Sequence, residues 1–143
     1  MPTSNDLFVD TSGWAFYLDR RDRSFQAAVS LVRETVTHGR HLITTNYIIT
    51  ELVPLLTGHY HLPRQQVIGA INTIKAHPSV EIVHIDRAFD KEAWALLEKY
   101  LDKDWSLVDA SSFLVMRHFN MTHVLTGDHH FDQAGFIRLP HLQ

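Results

Sequence analysis

The sequence predicts a parallel α/β fold, with helices on both faces of a five-stranded sheet. Short apolar runs alternate with longer stretches of helical periodicity along the chain. Such alternation calls for crossover connections, and crossovers make neighbouring strands parallel. No repeat or Pro/Gly/Ser-rich linker interrupts the 143 residues, so residues 1–143 read as one domain. Hydrophobic residues make up 45% of the chain, enough to build one core of this size.

Leu7-Phe8-Val9 is a compact strand ending at Asp10. Phe25, Ala28, Val29, Val32 and Val36 recur at helical spacing, with Ser24 as the expected cap and Gly39 as the stop. Leu42-Ile43-Thr44 is the second strand, followed by a helix from about Asn46 to Gly58 that contains Pro54. Pro63 suits the first turn of a helix carrying Val67, Ile71 and Ile74. After Pro78, residues Val80–Ile85 read as a strand, and Asp86 caps a helix whose apolar face is Phe89, Ala93, Leu96, Leu97 and Tyr100. Ser106 opens the next helix, with Leu107, Ala110, Phe113 and Leu114 inward. His123-Val124-Leu125 and Phe136–Leu139 complete the five strands.

Composition removes several classes of function. With 13 basic and 16 acidic residues, the formal charge of −3 excludes a polycation that holds nucleic acid by net charge. Cysteine is absent, which excludes thiolate zinc sites, iron–sulfur clusters and cysteine nucleophiles. The start, MPTSNDLFVD, lacks the features of a signal peptide, and no apolar run is long enough to span a bilayer. A cytoplasmic protein is the expectation. Neither a G-x-G-x-x-G motif nor a P-loop is present.

In parallel sheets, ligands bind beyond the carboxyl ends of the strands, so the residues just after each strand matter most. Asp10 follows the first strand, and Asp128 follows the fourth across Thr126-Gly127. Glu51 lies in the helix after the second strand, and Asp109 in the first turn of the helix before the fourth. Gathered at one sheet end without basic partners, these acids repel and raise each other's pKa. A hard cation, Mg²⁺ or Mn²⁺, relieves that conflict through oxygen ligands. Each acid also has a purely structural reading. Asp10-Thr11-Ser12 fits a helix cap, Asp109 completes an S-x-x-D capping box with Ser106, Asp128 fits a turn, and Glu51 fits a solvated helix face. Their joint placement favours a site.

Four segments, in order, resemble the PIN-domain nucleases and, among them, the VapC-type toxins. They are Phe8-Val9-Asp10-Thr11-Ser12, Thr45-Asn46-Tyr47-Ile48-Ile49-Thr50-Glu51-Leu52, Trp105-Ser106-Leu107-Val108-Asp109-Ala110-Ser111-Ser112-Phe113 and Leu125-Thr126-Gly127-Asp128-His129-His130-Phe131. The resemblance implies a three-layer α/β/α sandwich around a mostly parallel five-stranded sheet. It implies that Asp10, Glu51, Asp109 and Asp128 are catalytic, metal-binding acids of an Mg²⁺- or Mn²⁺-dependent endoribonuclease. It also implies a homodimer and, for a toxin, a small antitoxin partner.

The remaining polar residues fall around this set. Thr11 and Ser12 can bond a ligating carboxylate or the phosphate, or cap the helix, and Asn46 can line the site or cap the next helix. Arg20, Arg21 and Arg23, with His129 and His130, are candidate contacts to RNA; the alternative for each is a solvated position. Helix residues Val29, Val32, Val36, Ile48, Leu52, Leu55 and Leu56 are either a dimer face or antitoxin groove, or core. Three rivals remain: a non-toxin PIN-domain RNA-processing nuclease, a non-catalytic binding module and a phospho-acceptor signalling domain. The last expects a lysine at the end of the final strand, where Arg138 stands.

Overall fold

The computed structural model describes residues 1–141. In chain order these form β1 (Leu7–Val9), α1 (Thr11–Leu18), α2 (Phe25–Thr37), β2 (Leu42–Thr45), α3 (Asn46–Gly58) and α4 (Arg64–Ala76). They continue as β3 (Val80–Val83), α5 (Arg87–Lys99), α6 (Leu107–His118), β4 (His123–Leu125), α7 (His130–Gln133) and β5 (Ile137–Leu139). All strand pairs are parallel, in the order β3-β2-β1-β4-β5. Successive strand residues face opposite sides of a sheet. Leu7, Phe8 and Val9 are all buried, so both faces of the central strand are covered, as in a three-layer sandwich. Among the described residues no helix is long and apolar enough to cross a membrane.

The strand order reverses between β1 and β4. That switch point places the carboxyl ends of these two strands at the usual ligand crevice of parallel sheets. The register pairs Phe8 with Val124 and Val9 with Leu125, which brings Asp10 level with Thr126.

Several local expectations change on inspection. Ser24 caps nothing with its side chain: its backbone is already helical (φ −89°, ψ 0°). Asp22 Oδ1 instead accepts the Ser24 N–H at 2.8 Å. β3 ends at Val83 because the Asn46 side-chain oxygen takes the Ile85 N–H at 2.7 Å. β5 begins at Ile137, since the Phe136 N–H bonds Phe131 O at 3.0 Å. Pro63 occupies the N-cap position, one residue before the first turn. By contrast Asp86, through Phe89 N–H, and Ser106, through Asp109 N–H, cap their helices as expected. Gly39 adopts φ +72° behind α2, a left-handed stop that favours glycine.

All but Val29 of the helix residues that looked surplus to one core are used by it. Ile48, Leu52 and Leu56 are fully buried and Val32 is buried, and Val36 and Leu55 pack against the same cluster half-buried. Trp14 is buried with its indole N–H bonded to Thr44 Oγ1 at 3.1 Å, so this aromatic belongs to the core.

Candidate functional site

Four elements carry the four acids to one place. Asp10 is the N-cap of α1, yet its side chain makes no capping bond. Its Oδ2 accepts from Thr126 Oγ1 at 2.9 Å. Its Oδ1 is buried and has no hydrogen-bond partner among the described residues. Glu51 reaches in from α3, where Thr11 Oγ1 donates to its Oε1 at 2.5 Å. Pro54 lies within α3 without diverting this side chain. Asp109, in the first turn of α6, accepts the Ser106 N–H at 3.0 Å through Oδ2, completing the capping box. The same Oδ2 lies 3.0 Å from His130 Nδ1. Asp128 Oδ1 accepts the His130 N–H at 2.9 Å and lies 3.1 Å from His130 Nδ1. For Asp109 and Asp128, the structural and functional readings coexist in one residue.

A hydroxyl relay ties β4 to α1 beneath the acids. Thr126 commits its one proton to Asp10 and accepts the Asp128 N–H at 3.0 Å. Ser12 therefore donates across the 3.0 Å contact to Thr126, while accepting the Gly127 N–H at 2.9 Å. Thr11 thus serves Glu51 directly, and Ser12 serves Asp10 and Asp128 through Thr126.

The electrostatics have the expected sign, with burial as the first cause and repulsion second. Burial pushes the Asp10 carboxyl up to about 7, against the lowering effect of the Thr126 hydroxyl; Asp109 and Glu51 add to the rise. Glu51 is raised by burial and by Asp109 and Asp128, while its bond from Thr11 opposes. Asp109 is raised by burial, opposed first by the Ser106 N–H and also by His130.

Other candidates lie elsewhere or are engaged. Asn46 does not cap α3, and its side-chain oxygen is engaged away from that role. Thr45, with extended backbone (φ −133°, ψ 162°), caps that helix through Ile48 N–H, and Asn46 holds Ile85. Arg21 is committed to Asp19, through Nε at 3.0 Å and Nη2 at 3.2 Å, and to Tyr60 O at 2.8 Å. Arg20 and Arg23 are exposed. His129 is exposed, but His130 is not the free loop histidine its HH doublet suggested: its side chain is only 19% exposed. The sequence reading passed over Thr126, although its place between a strand end and Asp128 was a signal. Arg138, which the sequence placed only at the end of the final strand, holds Gly127 O at 3.0 Å and Asp132 Oδ2 at 3.0 Å and so braces the Asp128 loop.

A divalent cation fits these residues. The acids supply oxygen donors suited to a hard ion, and the unpartnered Asp10 Oδ1 is a buried polar atom that such an ion satisfies. Removing the relay has a distinct signature. Thr126→Val keeps the shape of the side chain but strands Asp10 Oδ2 and the Asp128 N–H. We expect a loss of about 1–3 kcal/mol in urea denaturation with chelator at pH 8. An unchanged midpoint would mean the relay carries no strain or support.

Comparison with known proteins agrees with this geometry. The chain is 29% identical over 136 residues to the 23S rRNA-specific endonuclease VapC20 of two Mycobacterium tuberculosis strains, covering 93% of this chain and 97% of the relative. The crystal structure of Mycobacterium tuberculosis VapC20, described as a sarcin-ricin loop cleaving toxin, superposes with a TM-score of 0.84 at 26% identity. That match covers 95% of this chain and all of the other. FitAcB from Neisseria gonorrhoeae shares the fold, with a TM-score of 0.64 at 16% identity over 95% of this chain and 99% of that one. Residues 7–137 match the PIN domain, and the chain belongs to the PIN-domain family.

Proposed function

We propose that the chain is a divalent-metal-dependent endoribonuclease of the VapC toxin type, acting on large-subunit ribosomal RNA as its relative's name describes. One observation carries the reading: a buried, unpartnered carboxylate oxygen on Asp10, with Glu51, Asp109 and Asp128 around it. Asp10, Glu51, Asp109 and Asp128 would hold the cation. When bound, it supplies a Lewis acid for a nonbridging phosphate oxygen and a water of lowered pKa.

The chain's own groups do the positioning. Thr126 and Thr11 hold the Asp10 and Glu51 carboxylates by hydroxyl donation, which fixes which oxygens remain for ligation. The Ser106 cap fixes Asp109, and the Asp128 loop is held by Thr126, Ser12 and Arg138. Exposed Arg20 and Arg23, with His129 at the rim, are the side chains free to meet the RNA backbone. A homodimer, a small antitoxin partner and a cytoplasmic location belong to the same proposal.

Purified protein incubated with ribosomes, and with a synthetic hairpin of the sarcin-ricin loop, tests it. We expect strand scission with Mg²⁺ or Mn²⁺ and none in excess chelator. Asp109→Asn, which keeps the helix cap, should lose at least about a hundredfold in rate, given the several kcal/mol a catalytic cation supplies. Undiminished cutting in chelator would reject the mechanism. Scission of other RNA but not of the hairpin would reject the substrate alone.

A further inference from the structure

We propose that His130 is a nitrogen ligand of the cation site, so that this chain takes Mn²⁺ in preference to Mg²⁺. The inference rests on the proposed metal-dependent activity and adds a donor outside the four acids. It stands on geometry. His130 Nδ1 sits 3.0 Å from Asp109 Oδ2 and 3.1 Å from Asp128 Oδ1, between carboxylates borne on two different segments. Its own backbone N–H bonds Asp128 Oδ1 at 2.9 Å, so the first residue of α7 is tied to the acid at both main chain and ring. The ligand atoms of Asp128, His129 and His130 all lie within 4.8 Å of one another. The buried Asp10 Oδ1 lacks a partner among the described residues, an independent sign that the acids beside this group are built to receive a cation.

The spacing serves two states. Without an ion, about 3 Å is a hydrogen bond from the ring. Around an octahedral ion with bonds of ~2.1 Å, adjacent ligands are separated by the same ~3 Å. An ion bound at Nδ1 therefore finds carboxylate oxygens of Asp109 and Asp128 each at about that spacing from the ring, and the two acids close on it from their separate segments. As a ligand, the neutral ring offers its Nδ1 lone pair and carries its proton on Nε2.

The donor type then sets the choice of metal. Mg²⁺ is hard, keeps its waters and takes oxygen ligands. Imidazole suits the transition metals, so a mixed nitrogen and oxygen site gains more from Mn²⁺ than from Mg²⁺. A site of four carboxylates lacks this source of discrimination. His129 is not assigned as a ligand: its side chain is 69% exposed and its Nδ1 lies 3.9 Å from Asp128 Oδ1.

The test is pulsed electron paramagnetic resonance on the Mn²⁺-loaded protein, together with calorimetric titrations of Mn²⁺ and Mg²⁺. We expect a directly bound ¹⁴N signal in the unmodified protein, kept in His129→Gln and lost in His130→Gln. His130→Gln should lower Mn²⁺ affinity by about tenfold or more, as loss of supporting metal contacts does. Its Mg²⁺ affinity should stay within about threefold, because magnesium draws little on nitrogen donors. An unmodified Mn²⁺ complex with no ¹⁴N signal overturns the assignment, whether or not His130→Gln folds. If that protein still binds both ions, the nuclease reading stands and only His130 is removed. Binding of neither ion overturns both.

Discussion

We expect Asp10→Asn to abolish RNA cleavage and, in chelator at pH 8, to make the protein more stable than the unmodified chain. The two effects share one cause. Burial pushes the Asp10 carboxyl from 3.8 to about 7. The folded, metal-free protein therefore holds the proton more tightly than the unfolded chain. Stability from this group is complete below pH ~4 and falls as pH rises toward 7; above that the penalty of the buried charge is complete. At 1.36 kcal/mol per unit, the rise corresponds to about 4 kcal/mol, of which relaxation around the charge leaves about 2–4 kcal/mol to be seen. Asparagine removes the charge at almost constant shape. Its oxygen keeps the bond from Thr126, and its uncharged amide takes the place of Oδ1, which has no partner among the described residues.

Thermal melts at pH 8 and pH 4, with chelator and with Mn²⁺, read this out. At pH 8 in chelator the variant should melt at least about 5 °C higher, the shift that ~2 kcal/mol produces in a chain of this size. The gain should shrink to under about 1 kcal/mol at pH 4, where the folded carboxyl is neutral and the unfolded one is only partly ionised. With Mn²⁺ the order should reverse, because an ion that binds only the folded state stabilises the protein that retains its ligand. An Asp10→Asn protein that is less stable in chelator at pH 8 would show that burial of this charge is not costly, and the case for a cation would lose its main support.

The acids were legible because of where strands end. Leu7-Phe8-Val9 and His123-Val124-Leu125 are short apolar runs, each followed closely by an aspartate, and parallel topology assigns such positions to ligands. Glu51 and Asp109 were legible only jointly, since a single acid in a helix has an ordinary explanation. Asp109 shows why: its capping-box bonds are present, and they orient the same carboxylate that faces the site. What stayed hidden depended on backbone angles and distant partners. Ser24 has the right chemistry for a cap but a helical backbone, so Asp22 takes the role. Arg21 lies in a basic run, yet its charge is spent on the buried Asp19 and on Tyr60 O. α7 spans four residues, too few for periodicity to show, and with it the inward placement of His130 was lost. No local pattern announces that an imidazole will meet a carboxylate 21 residues away.

Gly13→Ala should be the most damaging single-methyl change in the protein, and the damage should reach the site. Gly13 lies in the second half-turn of α1, where the helix crosses the end of β4. A Cβ built there would stand 2.0 Å from Leu125 O and 2.9 Å from Leu125 Cγ. The obstacle is backbone, and that carbonyl already accepts the Asp10 N–H at 3.1 Å, so it cannot rotate away without breaking the join between α1 and β4. The helix must retreat instead, drawing Asp10 from Thr126 and Thr11 from Glu51. Overpacking against side chains costs typically 1–3 kcal/mol, and against a fixed carbonyl we expect about 3 kcal/mol or more. Gly69, in the middle of α4, provides the contrast: nothing lies within 4 Å of its ideal Cβ. There the same substitution should stabilise by about 0.5–1 kcal/mol, through helix propensity and a less flexible unfolded chain. Urea denaturation of both variants, with Mn²⁺ titrations of any Gly13→Ala protein that folds, separates space from propensity. We expect opposite signs of stability change and weakened Mn²⁺ binding only at Gly13. A Gly13→Ala protein within ~1 kcal/mol of the unmodified chain, with normal Mn²⁺ binding, would mean that α1 can shift freely and that its close approach to β4 does not position the acids.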